Sequence, residues 1–297
     1  MRFKIDEVFL ERADDKGREK MREYILKKHK DVRGIMVARS ILSRSIEAYF
    51  VGSGKRCILL TAAHHALESV TANFAFVFID YMLTKSNNDS INGIDCKILL
   101  SKYCFLIVPC VNPDGVELRI NGALDTPLKE RQIRMSGGDF SSWQANARGV
   151  DLNHNYDSGF SEYKVIEKEM RIAPGSTLYS GESPESEPET RGVANLVRTL
   201  MPYAVVSLHT QGEEIYAGPK SKGVIRCAER LSAMTGYRLA SPEGTAAYGG
   251  LCDYTAGLGI PSFTFELGKG TNPLDESALP AIFQRVADAI GILPTLL

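Results

Sequence analysis

The chain lacks several features that would assign it to a class at once. It has no excess of positive charge: 35 lysines and arginines stand against 36 aspartates and glutamates, so no basic field exists to hold nucleic acid or an anionic membrane surface. Its six cysteines (Cys57, Cys96, Cys104, Cys110, Cys227, Cys252) include no CxxC pair, and several sit inside apolar runs. That argues against a thiolate zinc site and a disulfide framework, and predicts reduced, mostly buried thiols. Long hydrophobic runs are missing too. The longest, Cys104 to Val111 (CFLIVPCV), is about half of the roughly 17–25 residues that a membrane-spanning helix needs. The opening residues, MRFKIDEVFLERADDK, mix acids and bases without the basic-then-apolar order of a signal peptide, which predicts a cytoplasmic protein. Histidine is scarce, with five in 297 residues.

What is present is ordinary globular material, 44% hydrophobic and 24% charged, enough to bury a large core. Residues 1–35 read as an N-terminal helical extension packed on the body, from the helical spacing of Val8, Leu10, Met21, Tyr24 and Ile25. Strand-like runs follow at 46–52, 56–62, 104–111, 203–208 and 261–267, with helices expected at 66–83, 190–200, 222–234 and 277–290. Asn112-Pro113-Asp114-Gly115 has the composition of a turn, and most of 115–203 reads as loop. Strands alternating with helices, with no composition break, predict a single α/β domain over 1–297: a mixed, mostly parallel central sheet flanked by helices on both faces.

In such sheets ligands bind beyond the carboxyl ends of the strands. Four apolar runs end there in polar or metal-capable residues: His64 and His65 after RCILLTAA, Asn112 after CFLIVPCV, His209 after YAVVSL and Glu266 in PSFTFEL. Another histidine, His154, lies in DLNHNYD, so the scarce residue is concentrated where sites form. A hydrolytic zinc site takes three ligands from His, Asp and Glu and leaves a fourth position for water. His65, Glu68 and His209 could supply that set. His65 and Glu68 are three apart and share a face of a helical turn; His64 and Glu68, four apart, do so equally, and spacing alone does not choose between them.

The order HALE (65–68), VNPDG (111–115), GVDLNHNYD (149–157), SLHTQGEE (207–214) and FTFELG (263–268) resembles the carboxypeptidase A-like zinc metallopeptidases from about Ser40 to Leu274. WQANARGVDLN, HTQGEEIY and SEPETR look most like the branch of γ-D-glutamyl-diamino-acid peptidases, which act on bacterial cell-wall peptides. The resemblance implies one zinc ion held by His65, Glu68 and His209, and Glu266 as catalytic base. It also implies Asn153 as a binder of the substrate carboxylate and Arg148 as the cation facing the scissile carbonyl. The substrate is then a small peptide.

Two positions depart from the family's pattern. His154 stands where many members have an arginine that clamps a terminal carboxylate, and Leu67 replaces another arginine, so plain C-terminal trimming is not expected. Arg148, Arg119, Arg131 or Arg134 could supply the missing cation from the long loop. Cys252 falls at the floor of the family's side-chain pocket, and Tyr248 matches its mobile tyrosine, which makes His154, Cys252 and Tyr248 candidate substrate-binding residues. Two other readings use the same scaffold or chemistry: a zinc-dependent deacylase of N-acyl amino acids, similar to aspartoacylase or succinylglutamate desuccinylase, and a catalytically inactive peptide-binding module.

Overall fold

A computed structural model describes residues 3–87, 89–123 and 125–297. The chain enters through a short 3-10 turn, Glu7–Leu10, and helix α1 (Asp15–Lys28), whose first turn is capped by Asp14 accepting from the Gly17 N–H at 2.8 Å. Strands β1 (Arg33–Arg39), β2 (Ser45–Val51) and β3 (Arg56–Ala62) follow, then helix α2 (Val70–Lys85). Unlike a surface helix, α2 is apolar almost all round and buries thirteen residues. Its buried Asp80 is met by Lys28 at 2.9 Å and hydrogen-bonded by His29 at 2.6 Å, which gives one of the five histidines a structural role.

A minor hairpin, β4 (Ser90–Ile91) with β5 (Ile94–Asp95), leads through α3 (Cys96–Lys102) into β6 (Tyr103–Val108). Helices α4 (Pro113–Asn121), α5 (Lys129–Ser136), α6 (Phe160–Met170) and α7 (Pro188–Leu200) come next, followed by β7 (Ala204–His209) and β8 (Glu214–Gly218). The chain ends with α8 (Lys222–Thr235), β9 (Arg238–Ala240), α9 (Leu251–Gly257), β10 (Ser262–Glu266) and α10 (Leu279–Ile292).

Eight strands form one sheet in the order β1-β2-β6-β3-β7-β10-β8-β9. The centre, β6-β3-β7-β10, is parallel; β1 with β2, β2 with β6 and β10 with β8 are antiparallel, and β8 with β9 is parallel. Alternation along β3 sends Ile58, Leu60 and Ala62 into a core with Phe74, Phe78, Leu231 and Phe283 of α2, α8 and α10. Leu59 goes to the opposite core with Val193, Val197 and Leu251 of α7 and α9. Both faces are thus covered, as a sheet with a parallel centre requires.

The strands expected at 46–52, 56–62, 203–208 and 261–267 match β2, β3, β7 and β10 within a residue or two. The turn expected at 112–115 is instead the start of α4: Pro113 has no N–H to lose at a helix start, and the Asn112 side chain accepts from the Gly115 N–H at 2.9 Å. Within the expected loop 115–203, α5 and α6 form as well. Among the described residues no helix is long and apolar enough to cross a membrane. The cysteines are free thiols, four of them buried and Cys57 and Cys252 half-buried.

Candidate metal centre

Three strand ends meet beyond the carboxyl edge of the parallel strands. β3 stops at Ala62, and Ala63 turns the chain with a φ of 50°. His64 goes inward: it is fully buried, its ring stacked 5.6 Å from that of His209, with Nε2 3.0 Å from the Tyr156 hydroxyl. His65 precedes a single 3-10 turn, Ala66–Glu68, which folds Glu68 back so that Glu68 Oε1 lies 3.0 Å from His65 Nδ1. His209, the last residue of β7, puts its Nδ1 3.0 Å from Glu68 Oε2 and 3.3 Å from His65 Nδ1. The ligating atoms of these three residues lie within 4.8 Å of one another. Of the two histidines that spacing left open, the structure brings His65 to the cluster and His64 behind it.

The outer nitrogens decide what the inner ones offer. His65 Nε2 is 3.2 Å from Asp151 Oδ1, and a carboxylate only accepts, so Nε2 carries a proton and Nδ1 faces the cluster; burial would lower the pKa of this ring, but Glu68 and Asp151 outweigh it and hold it well above the usual value, so that an ion binding at Nδ1 displaces a proton. His209 Nε2 lies 3.1 Å from Ser207 Oγ, which orients that ring with its Nδ1 towards Glu68. Two lone-pair nitrogens and a buried carboxylate converging on one point repel each other unless a cation or proton sits between them. The set fits a zinc-type ion with an open fourth position.

Electrostatics follow from this crowding. Burial alone would raise the Glu68 carboxyl, but His65 and His209 beside it outweigh that and pull it down to about 2. Asp151 is held well below the usual carboxylate range in the same way, burial being outweighed by the charge and hydrogen bond of His65. Glu266 behaves oppositely. It closes β10 in register with His209 on β7 and Glu214 on β8, and no hydrogen bond engages its carboxylate among the described residues. Burial pushes it up to about 7, with His209 opposing and Glu68 adding to the rise.

These groups open onto a cleft of about 510 Å³ lined by His65, Gln144, Asn153, His209 and Glu266 among others. The Asn153 Oδ1 accepts from the Leu251 N–H at 3.2 Å, leaving its amide N–H groups for a ligand. His154 also lines the cleft but supplies no cation. Burial lowers its pKa, its Nδ1 donates to the Tyr248 carbonyl at 2.9 Å, and its ring lies 4.4 Å from Tyr163 in a parallel stack. Cys252 is in the wall, its thiol pushed up to about 12 by burial and so a small neutral group.

Two expected residues are not brought to the cleft. Arg148 is turned away and engaged by Glu187, Nη2 to Oε2 at 2.9 Å, because Gly149, at a φ of 77°, reverses the chain just after it. Tyr248 is fixed outside the cleft lining, its ring against Gly159 and 6.1 Å from that of Tyr163. Gly249 causes this, since a Cβ there would lie 2.5 Å from the His154 carbonyl oxygen and only glycine lets the loop close on that residue. Arg119, Arg131 and Arg134 do not line the cleft either, and Lys220 is its lysine among the described lining residues.

Two residues that pattern reading overlooked stand at the centre. Asp151 joins His65 to the loop segment, and Gln144 lines the cleft while its Nε2 donates to Asp151 Oδ2 at 2.9 Å. Both sit in an aperiodic stretch, and the visible signal was an acid beside the asparagine motif.

A family model described as "Zinc carboxypeptidase" matches residues 19–288. The chain is 33% identical over 272 residues to a γ-D-glutamyl-L-diamino acid endopeptidase 1 of Lysinibacillus sphaericus, covering 88% of this chain and 66% of that protein, just under two thirds of its length. Among solved structures, bovine thrombin-activatable fibrinolysis inhibitor in complex with tick carboxypeptidase inhibitor superposes with a TM-score of 0.76 at 22% identity, covering 97% of both chains. A murein-tripeptide amidase from Escherichia coli O157 gives 0.57 at 20% identity, covering 86% of this chain and 90% of that one. These two likenesses concern the fold.

Proposed function

The chain belongs to the zinc carboxypeptidase family, and from that premise we propose that it is a cytoplasmic zinc-dependent peptidase that hydrolyses amide bonds in small peptides, with γ-D-glutamyl-diamino-acid peptides of the cell-wall type as its substrates. The observation that supports this most is the convergence of His65, Glu68 and His209 beside an unpaired Glu266 at the head of one cleft.

His65 and His209 through Nδ1, and Glu68 through its carboxylate, are the residues that would hold one zinc ion. Bound there, zinc supplies Lewis-acid polarisation of a carbonyl oxygen and lowers the pKa of water towards about 7. Asp151 keeps a proton on His65 Nε2 and so presents Nδ1 to the ion, and Ser207 orients the His209 ring through its Nε2. Glu266, with its carboxyl near neutrality, removes a proton from the attacking water and returns it to the leaving nitrogen. Asn153 donates its side-chain N–H to a substrate carboxylate. Arg148 has no part in this reading, since its guanidinium is committed to Glu187.

The test is a hydrolysis panel run with metal analysis. Peptides containing γ-D-Glu-diaminopimelate or γ-D-Glu-Lys, ordinary dipeptides and N-acyl amino acids are incubated with the zinc-loaded protein. Cleavage of the γ-D-glutamyl bond, abolished by a chelator and restored by zinc, is expected. Release of the acyl group from N-acyl amino acids without peptide cleavage would overturn the reading in favour of a deacylase, and full zinc loading without turnover would make the chain a binding module.

A further inference from the structure

The six thiols are not alike in their surroundings. Cys57 is the second residue of β3 and Cys104 the second residue of β6, and the two are directly paired in the parallel register between those strands. Residues paired across a parallel ladder point to the same face. Leu59 and Leu106, two residues further along each strand, are paired in the same way and both enter the core beneath α7 and α9. Alternation therefore places Cys57 and Cys104 side by side at the rim of that core. Neighbouring strands run about 4.8 Å apart, and a disulfide needs Cα atoms about 4.4–6.8 Å apart, so the sheet itself holds the two cysteines at bridging distance. Cys104 is buried and Cys57 half-buried, which opens the pair to solvent on one side.

Proximity also sets their acidity. Cys57 beside it draws the Cys104 thiol below its usual value, burial opposing, and the Cys57 thiol is pushed up in return, by Cys104 first and by burial second. The pair thus gives up one proton readily and keeps the other. For Cys96, Cys110, Cys227 and Cys252 burial is the leading effect and raises each thiol, which keeps it protonated and inert.

The pair has no task in the proposed hydrolysis. It lies at the amino ends of β3 and β6, about 17 Å along β3 from Ala62, after which the chain turns to His65.

We propose that Cys57 and Cys104 form a redox-reactive dithiol that a hydroperoxide oxidises to an intramolecular disulfide and a thiol reductant reopens. The Cys104 thiolate attacks the O–O bond and becomes a sulfenic acid, its sulfur losing two electrons, while the second peroxide oxygen takes up a proton and leaves as water. The Cys57 sulfur then attacks the sulfenic sulfur. The S–S bond forms as the S–O bond breaks, and the departing hydroxyl takes the Cys57 proton and leaves as a second water. Two thiols and one hydrogen peroxide become one disulfide and two waters.

The experiment exposes the folded protein to hydrogen peroxide near one equivalent, blocks the remaining thiols by alkylation, and maps the unreduced peptides by mass spectrometry. Two of the six thiols should be lost, the chain should be lighter by two hydrogens, and one cross-linked peptide pair should join Cys57 to Cys104. Dithiothreitol should return both thiols. In Cys57→Ser no thiol remains beside the sulfenic acid, so the bond is lost and a dimedone adduct appears on Cys104 in its place. Cys227→Ser, which removes a thiol outside the pair, should still form the same bond. The wild-type map alone decides the matter where a variant fails to fold. Survival of all six thiols, a bond between any other two cysteines or between two chains, or oxidation that stops on one sulfur of the wild type would overturn the proposal. The metal cluster contains no cysteine, so neither result bears on the peptidase reading.

Discussion

Glu68, buried, and Glu266, half-buried, lie beside the same histidine, yet one is drawn down to about 2 and the other up to about 7. The difference lies in partners: Glu68 has two imidazoles within 3.0 Å, and Glu266 has desolvation with no hydrogen bond to offset it. A ligand must be ionised and a proton carrier must titrate near the working pH, so the environments divide the proposed roles. Asp151 acts on the cluster through His65. By fixing the His65 tautomer it tunes the ligand's basicity, so Asp151→Asn should weaken zinc binding about 10–100-fold, as loss of such an outer partner commonly does. Competition against a chromogenic chelator reads this directly, and an unchanged affinity would remove Asp151 from the site. His65, Glu68, His209 and Glu266 are legible in the sequence because each follows or ends an apolar run. Asp151 and Gln144 are not, since their positions depend on how an aperiodic segment folds over the strand ends. Arg148 shows the converse error: a cation in the right segment whose backbone turns it onto Glu187.

Among the elements, the strands of the sheet centre are legible because burial on both faces demands continuous apolar runs, as in β3 and β7. β1 and β9 at the edges are half exposed and carry arginines, so they give no such signal. Helix α4 is hidden for a different reason, because Asn-Pro-Asp-Gly serves a turn and a helix start equally well. Asn112 shows what that start does for the site. While its oxygen caps α4, its Nδ2 donates to the carbonyls of His64 at 3.0 Å and Ala145 at 3.2 Å, tying the ligand loop to the segment that carries Asp151. Asn112→Ala loses a cap and strands buried carbonyls, which should cost about 2–4 kcal/mol. Asn112→Asp, which keeps the acceptor and loses the donor, should recover only part of this. Urea unfolding of the three proteins checks the order, and equal stability of the wild type and the alanine variant would contradict it.

At the scale of the whole molecule, one buried acid sets a pH dependence of stability separate from the metal site. Glu189 is fully buried near the bend after β1, and burial pushes its carboxyl up to about 8, Asp114 and Glu187 adding to the rise. In the unfolded chain the same group releases its proton near 4.3. Between those values the folded state holds more protons, so this contribution is complete below the unfolded value and is lost as pH rises through about 8. Glu189→Gln, which stays neutral, should therefore unfold later than the wild type above pH 8 and lose that advantage near pH 4.5, the difference amounting to a few kcal/mol at about 1.4 per unit. Thermal midpoints of both proteins across this range check the sign, and parallel curves would contradict it.

In the proposed reaction one cluster holds the metal and a neighbouring carboxylate moves the proton. Zinc content and γ-D-glutamyl hydrolysis, measured on the same samples of the wild type and Glu266→Gln, separate these two tasks. Both proteins should carry one zinc per chain, with turnover of the variant lower by about 10²–10⁴-fold. A wild type that binds no zinc, or a variant that turns over at the wild-type rate, would contradict the account.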